Sequence, residues 1–412
     1  MTFHDPYSAS PVCAEELAEL KSQRSLSGES YPCSVGYSND FEYPGACDTT
    51  YPGCGPELYR RRTRPKQPLK VVHIGPSFVC AGVESWLRAL VSHSDESRVR
   101  FVHNVVTEEY AVDHELLQKI AIPFSFGRDT AVSEAVLEAD IVLVWGDIDP
   151  KYLKPAGSSA KVIFVAHGVG EWTRRALCIC APAIDHVVAV SRVVEQQVCG
   201  GFPTTVILNG VDQRHVASGC DAATMRNRFG FSKDDFVVGF VGRFSPEKNA
   251  HLMLEAFGSL GPDSKALLVG WGPLRYQLMD LCNELIPGRF AFASSREFLG
   301  DYYQVMNALC MPSAAEGFGL VAAEAMLHGI PVVSTPVGVA HDLFEHRVNG
   351  LLSGADEFGI NLSLLEQHPE WARGLGQEGR RTAMKYCLAS TMAASYQNLF
   401  EQLTQQIDLE RP

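Results

Sequence analysis

From Leu69 onward the chain alternates short apolar runs with segments of helical period, and this alternation restricts the fold more than any other feature. Leu69-Lys70-Val71-Val72-His73-Ile74 closes in Gly75-Pro76, the pattern of a strand buried on both faces. Val83, Trp86, Leu87, Leu90 and Val91 then recur at helical spacing. Strands are predicted over Val99–Val106, Ala139–Trp145, Val162–Ala166 and His186–Val190, with helices over His114–Ile120 and Val194–Cys199. Strands linked by helices at this pace build a parallel sheet covered on both faces.

A second series starts after Asn209-Gly210-Val211-Asp212. Strands are predicted over Phe236–Val241, Ala266–Val269, Arg289–Ala293, Leu309–Met311 and Pro331–Ser334. Helices fall over His251–Ser259, Leu274–Leu285, Gly319–His328 and a terminal stretch near Thr391–Gln405. Gly329 and Pro331 stop the Gly319–His328 helix. The expectation is an α/β protein with two Rossmann-like, doubly wound domains in tandem, residues 69–208 and 209–390, facing a cleft. Ligands of such pairs sit where the carboxyl ends of the strands meet that cleft. Residues 391–412 form a terminal helix that is a candidate for packing back on the first domain.

Residues 1–68 read differently. They are rich in Pro, Gly, Ser and Tyr, and repeat a loose theme in Tyr31-Pro32-Cys33, Tyr43-Pro44-Gly45-Ala46-Cys47 and Tyr51-Pro52-Gly53-Cys54. An irregular N-terminal extension is expected, either mobile or docked on a partner or on the second half. It ends in Arg60-Arg61-Arg62-x-Arg64-x-Lys66, a basic run that suits a solvated linker, a phosphate contact or a membrane-surface contact.

Composition narrows the partners. Of 412 residues, 35 are Lys or Arg against 48 Asp or Glu, a net charge of −13 that opposes the phosphate neutralisation on which nucleic-acid binding runs. No apolar run is long enough to span a bilayer, and the start lacks a charged segment followed by an apolar one, so a cytoplasmic location is expected. Peripheral membrane contact is not favoured. The 12 cysteines are scattered, with Cys178-x-Cys180 the closest pair and no zinc-ligand spacing, so small buried hydrophobes are expected rather than a metal or redox site.

Four loops at predicted strand ends hold the unusual residues. In Gly242-Arg243-Phe244-Ser245-Pro246-Glu247-Lys248-Asn249, the glycine permits close backbone approach, and Arg243 and Lys248 offer a planar fork and a point charge suited to a diphosphate. In Glu316-Gly317-Phe318-Gly319-Leu320-Val321-Ala322-Ala323-Glu324, two glycines precede a helix whose free N–H groups and dipole favour an anion. Glu316 and Glu324 lie too far apart to share a proton, and suit two separate hydroxyl clusters. Glu324, among Val321, Ala322, Ala323, Ala325 and Met326, is costly there unless paired or ligand-bound.

The third loop, Val165-Ala166-His167-Gly168, puts His167 at a strand exit, either touching a sugar or leaving group or serving the core. The fourth runs from Gly75 to Ser85, with Gly82 where a helix begins. Walker A, Gly-x-Gly-x-x-Gly, Gly-x-Ser-x-Gly and His-Glu-x-x-His patterns are absent, which argues against P-loop NTPases, dehydrogenases, α/β-hydrolases and zincins.

Residues 206–352 resemble the carboxyl-terminal domain of a retaining GT-B glycosyltransferase of glycosyltransferase family 4 (glycosyl transferases group 1). The resemblance rests on Ile207-Leu208-Asn209-Gly210-Val211-Asp212, Gly242–Asn249, Leu268-Val269-Gly270-Trp271-Gly272-Pro273, Phe298-Leu299-Gly300, Pro312-Ser313, Glu316–Glu324 and Gly329-Ile330-Pro331-Val332-Val333. Ala81-Gly82-Val83-Glu84 and His167-Gly168 resemble amino-terminal pieces of that family. Departures occur at Gly338-Val339, where the family carries a glycine pair, in the short stretch between Gly300 and Pro312, and at Ala81-Gly82.

The resemblance implies a nucleoside-diphosphate sugar as donor, UDP-linked before GDP-linked, and transfer to an acceptor hydroxyl with retention. The acceptor, whether glycan, small molecule or lipid-linked, is left to the first domain's loops. Arg243 and Lys248 would bind the diphosphate and stabilise the departing charge, with Gly242 and Gly270 lining that loop pair. Glu324 would hold the ribose. Glu316 would hold the donor sugar with backbone N–H groups of Phe318, Gly319 and Leu320, beside Gly317. Residues 296–300, with Gly300, would pass the base. His167 would contact the transferred sugar, and Gly82 would line the cleft. No cofactor and no metal are implied, since Arg243, Lys248 and the helix start supply positive charge. A nucleotide-sugar epimerase or hydrolase on the same fold would instead recruit His341, Asp342 and His167. A degenerate sugar-nucleotide-binding scaffold would tend to have lost a member of the Arg243, Lys248, Glu316 and Glu324 set, which is intact here.

Overall fold

The computed structural model describes residues 67–410, except 80–81, 109–111, 119, 121 and 295–298. The predicted extension, its Tyr-Pro-Cys theme and its basic run therefore lie outside the described residues. The described residues all belong to one compact unit.

That unit is built on two parallel sheets. The first has strands β1 (Leu69–Gly75), β2 (Val99–Val106), β3 (Phe124–Phe126), β4 (Ile141–Val144), β5 (Lys161–Ala166), β6 (His186–Ala189) and β7 (Thr204–Val206), in the order 3-2-1-4-5-6-7. The second has β8 (Val237–Val241), β9 (Lys265–Val269), β10 (Phe290–Ala293), β11 (Ala308–Met311), β12 (Val332–Ser334) and β13 (Leu351–Leu352), in the order 10-9-8-11-12-13. All pairings are parallel. The chain thus folds into two Rossmann-like, doubly wound halves, as the alternation of strand and helix signals requires.

The central strands read as continuous apolar runs because helices cover both of their faces: Ile141, Val142, Leu143 and Val144 of β4 are all fully buried. Three strands escape the sequence pattern, namely β3, β7 and β13. Each lies at the outer end of its sheet and is two or three residues long, too short for a period to develop.

In each sheet the strand order reverses once, between β1 and β4 and between β8 and β11. Beyond those reversals the flanking loops diverge and leave a crevice at the carboxyl edge. The helix Ala389–Glu410 returns to the first half. It joins Arg98 Nε to Glu401 Oε1 at 2.8 Å, donates from Gln397 Nε2 to the Asp95 carbonyl at 3.2 Å, and packs on the helix Gly82–His93. Among the described residues no helix is long and apolar enough to cross a membrane. Of the seven described cysteines, all with free thiols, five are buried, as expected of small apolar side chains.

Candidate functional site

The loop leaving β8 is shaped by a backbone-to-backbone contact that only glycine allows. Gly242 N donates to Val269 O at 3.0 Å, and a Cβ on Gly270 would stand 1.9 Å from the Gly242 carbonyl oxygen. With Gly270 at φ +151° the two strand exits close on each other, and the loop turns outward at Arg243, which is exposed. A 3-10 turn over Pro246–Lys248 follows, and Glu247 O accepts from Ala314 N at 2.8 Å, tying the loop to the exit of β11. Arg243 and Lys248 are thereby presented at the second reversal point.

Lys248 Nζ lies 2.6 Å from Glu316 Oε1, and Ser313 Oγ donates to the same oxygen at 2.8 Å. Glu316 is 11% exposed and Lys248 24%, so the pair is partly shielded yet reachable. Glu247 accepts from Ser245 Oγ at 2.6 Å, and its carboxyl is held below the usual range against a burial penalty by that hydroxyl and by Lys248 and Arg243. Fixed charges of both signs therefore meet at one strand edge.

Gly319, at φ +84°, turns the chain into the helix Leu320–Leu327. The first N–H groups of that helix have no intrahelical acceptor and carry its positive dipole end. Phe318 is buried, and its carbonyl accepts from Val339 N at 2.6 Å. Glu324 is only 7% exposed, yet it is paired: the Tyr303 hydroxyl donates to Glu324 Oε2 at 2.6 Å, and the Tyr303 ring stacks on His328. Burial still raises its pKa, partly offset by the tyrosine. No sequence signal marked Tyr303. It ends the short helix Gly300–Tyr303, 21 positions from Glu324 in sequence, and meets it only in the folded chain.

The first half meets this site at two points. A Cβ on Gly317 would stand 1.8 Å from the His167 carbonyl oxygen, so Gly317 is where the halves press backbone to backbone. A Cβ on Gly82 would stand 3.7 Å from Leu320, which places the start of the helix Gly82–His93 opposite the start of the helix Leu320–Leu327.

The His167 ring sits against Trp86 at 4.7 Å and Trp145 at 6.0 Å, its Nε2 buried without a partner. Burial, with His73 nearby, pushes its pKa down to about 3, so the imidazole is neutral and supplies no positive charge. Gly300 is buried under the backbone of Val216 and Ala217, 2.2 Å from the Val216 oxygen to a would-be Cβ, so packing alone demands glycine there. Residues 296–298 of the expected base-contacting run lie outside the described residues.

Asp342 has its side chain fully buried and accepts from Arg192 N at 2.7 Å, across the two halves. The acid/base residue an epimerase would recruit is thus used to join two loops.

Residues 221–380 match the family described as Glycosyl transferases group 1. The lipopolysaccharide core biosynthesis mannosyltransferase LpsB of Rhizobium meliloti is 26% identical over 48% of this chain and 61% of its own length. A D-inositol 3-phosphate glycosyltransferase of Corynebacterium urealyticum is 33% identical over 48% of this chain and 50% of its own. The chain thus spans about half the length of the curated relatives it matches.

The fold resembles Anabaena HepE, solved with UDP and glucose, at TM-score 0.70 and 21% identity over 81% of this chain and 100% of that one. It also resembles sucrose-phosphate synthase of Thermosynechococcus elongatus, at TM-score 0.63 and 19% identity over 82% and 100%. The architecture is GT-B, and the match to the group 1 glycosyl transferases falls in its second half.

Proposed function

We propose that the chain transfers a sugar from a nucleoside-diphosphate sugar, UDP-linked by preference and GDP-linked next, to an acceptor hydroxyl with retention and without a metal ion. The observation that carries this reading is the Lys248–Glu316 pair at 2.6 Å, set beside the start of the helix Leu320–Leu327 at the second reversal point. That HepE was solved in complex with UDP and glucose supports a UDP-sugar as donor.

In this reading Arg243 and Lys248 hold the diphosphate, and the helix start adds N–H donors. Glu316 fixes the Lys248 ammonium and accepts from a donor-sugar hydroxyl. Glu324, oriented by Tyr303, accepts from the ribose. The bond from the anomeric carbon to the phosphate oxygen breaks, and the acceptor oxygen bonds to that carbon on the same face. The acceptor's proton passes to the leaving phosphate, which gives a glycoside and a nucleoside diphosphate. Catalysis is then mainly positioning and stabilisation of charge on the leaving group.

Calorimetric titration with UDP, GDP, ADP and TDP, with and without EDTA, tests it on the wild type and on Arg243→Ala. Binding of one nucleotide that ignores EDTA and is lost in the variant is the expected result. No binding to any of the four overturns the reading.

A further inference from the structure

Trp172 is 49% exposed, and nothing in the core requires it. It lies in the first turn of the helix Glu171–Cys180, whose buried stripe is Thr173, Ala176, Leu177 and Cys180. Its indole is nevertheless held. The ring packs edge-to-face on Trp145 at 5.8 Å, and Trp145 packs in turn on His167 at 6.0 Å. A chain of aromatic contacts therefore runs from the point where Gly317 meets His167 out to an exposed indole.

The loop leaving β4 carries Trp145, Gly146, Asp147 and Ile148, and it is fastened to the same helix. Cys180 Sγ lies 3.3 Å from the carbonyls of Gly146 and Ile148, and takes the Ile148 N–H at 3.4 Å. Trp145 and Trp172 thus form one aromatic surface near the first reversal point, linked through the His167 ring to the place where Gly317 meets His167.

A fixed, half-exposed indole suits one chemistry well. A pyranose ring has an apolar face of C–H groups that covers an aromatic ring, while its edge of hydroxyls stays open to water and polar groups. We propose that Trp172, backed by Trp145, seats a sugar ring of the acceptor, so that the group receiving the transferred sugar is itself a saccharide. This rests on the reading of the molecule as a glycosyltransferase.

The test titrates the full chain, saturated with UDP, with methyl pyranosides and disaccharides of gluco, manno and galacto configuration. Binding is read by saturation-transfer NMR, and UDP affinity is measured separately by calorimetry. Trp172→Ala should weaken saccharide binding about tenfold, Trp172→Phe should retain most of it, and UDP affinity should be the same in all three proteins. Equal saccharide binding by Trp172→Ala and wild type overturns the proposal. So does UDP binding with no saccharide bound by the wild type. Failure of UDP binding with saccharide binding lost in Trp172→Ala would sink the donor assignment and leave the platform standing, and failure of both ligands sinks both.

Discussion

The carboxyl edge of the second sheet and that of the first are built from opposite chemistries. At the second edge most charged groups are already partnered within the protein, Lys248 with Glu316, Glu247 with Ser245 and Glu324 with Tyr303, while Arg243 is exposed. At the first edge the polar groups are buried among aromatic rings, and several have an atom with no partner, among them His73 Nε2, Asn104 Nδ2, Thr107 Oγ1, Trp145 Nε1, His167 Nε2 and Glu84 Oε2. A pre-paired, charged edge suits a ligand of constant charge, because its donors need no reorganisation when a diphosphate arrives. The aromatic faces at this edge suit a neutral, hydroxyl-rich ligand.

The sharpest break of this contrast is Lys248→Ala. It should lower turnover by about 100-fold or more, in line with loss of a transition-state charge contact, with the fold intact by circular dichroism. Glu316→Ala should do the same, since it frees the Lys248 ammonium. Near-wild-type transfer by both variants would remove the second edge from the mechanism.

Gly317→Ala attacks the contact between the edges. Its Cβ would stand 1.8 Å from the His167 oxygen, and backbone cannot move aside as a flexible side chain can. The expected cost is about 1–3 kcal/mol of stability, visible in urea denaturation, with a raised KM for the donor because the halves must part. A variant that melts with wild-type parameters would show that the halves are not held there.

Tyr303→Phe comes next. It leaves Glu324 buried with Oε2 unpartnered, a loss of about 1–3 kcal/mol divided between stability and nucleotide affinity. The affinity share should disappear for a nucleotide lacking ribose hydroxyls. A full loss of affinity for that analogue as well would detach Glu324 from the ribose.

The two edges also differ in how far they can be read from the chain. The second was legible because its chemistry is local. Gly242–Asn249 and Glu316–Glu324 are contiguous loops, and each places its charged residues at a strand exit by itself. The pairing of Glu316 with Lys248 was not written in either stretch, and neither was Tyr303. Both need the strand order 8-11 and the helix Gly300–Tyr303 to bring distant segments together.

At the first edge the same limit covers nearly everything. Trp145 and Trp172 sit 27 positions apart in sequence and 5.8 Å apart as rings. His167 was legible as a strand-exit residue, but its state was not. The aromatic shell of Trp86 and Trp145 makes it neutral, and that shell is assembled from two other segments. Of the core, the central strands were plain from their apolar runs. The short outer strands β3, β7 and β13 were not, because their burial depends on neighbours rather than on their own period.

The last test isolates the first edge by its response to pH. His73, its Nδ1 2.7 Å from Asn104 Oδ1, is pushed down to about 4 by burial, and His167 to about 3. Both ring pKa values are depressed below the unfolded value of 6.5, so on acidification the unfolded chain takes protons the native one refuses. Stability then falls as pH drops below 6.5. Glu84 acts in the opposite direction. Burial raises its pKa from 4.5 to about 7, so between those values the native state holds a proton the unfolded chain lacks, and acidification through that window stabilises the fold. Between pH 6.5 and 4.5 two histidines therefore oppose one carboxyl, a net loss of about 1.4 kcal/mol per pH unit from these three groups. Glu84→Gln should remove the opposing member and steepen the acid loss by about 1.4 kcal/mol per pH unit, while groups elsewhere cancel in the difference. Urea denaturation of both proteins at pH 6.5, 5.5 and 4.5 reads this directly. Parallel profiles would mean that Glu84 is already ionised in the native state, and that the first edge carries a buried charge like the second.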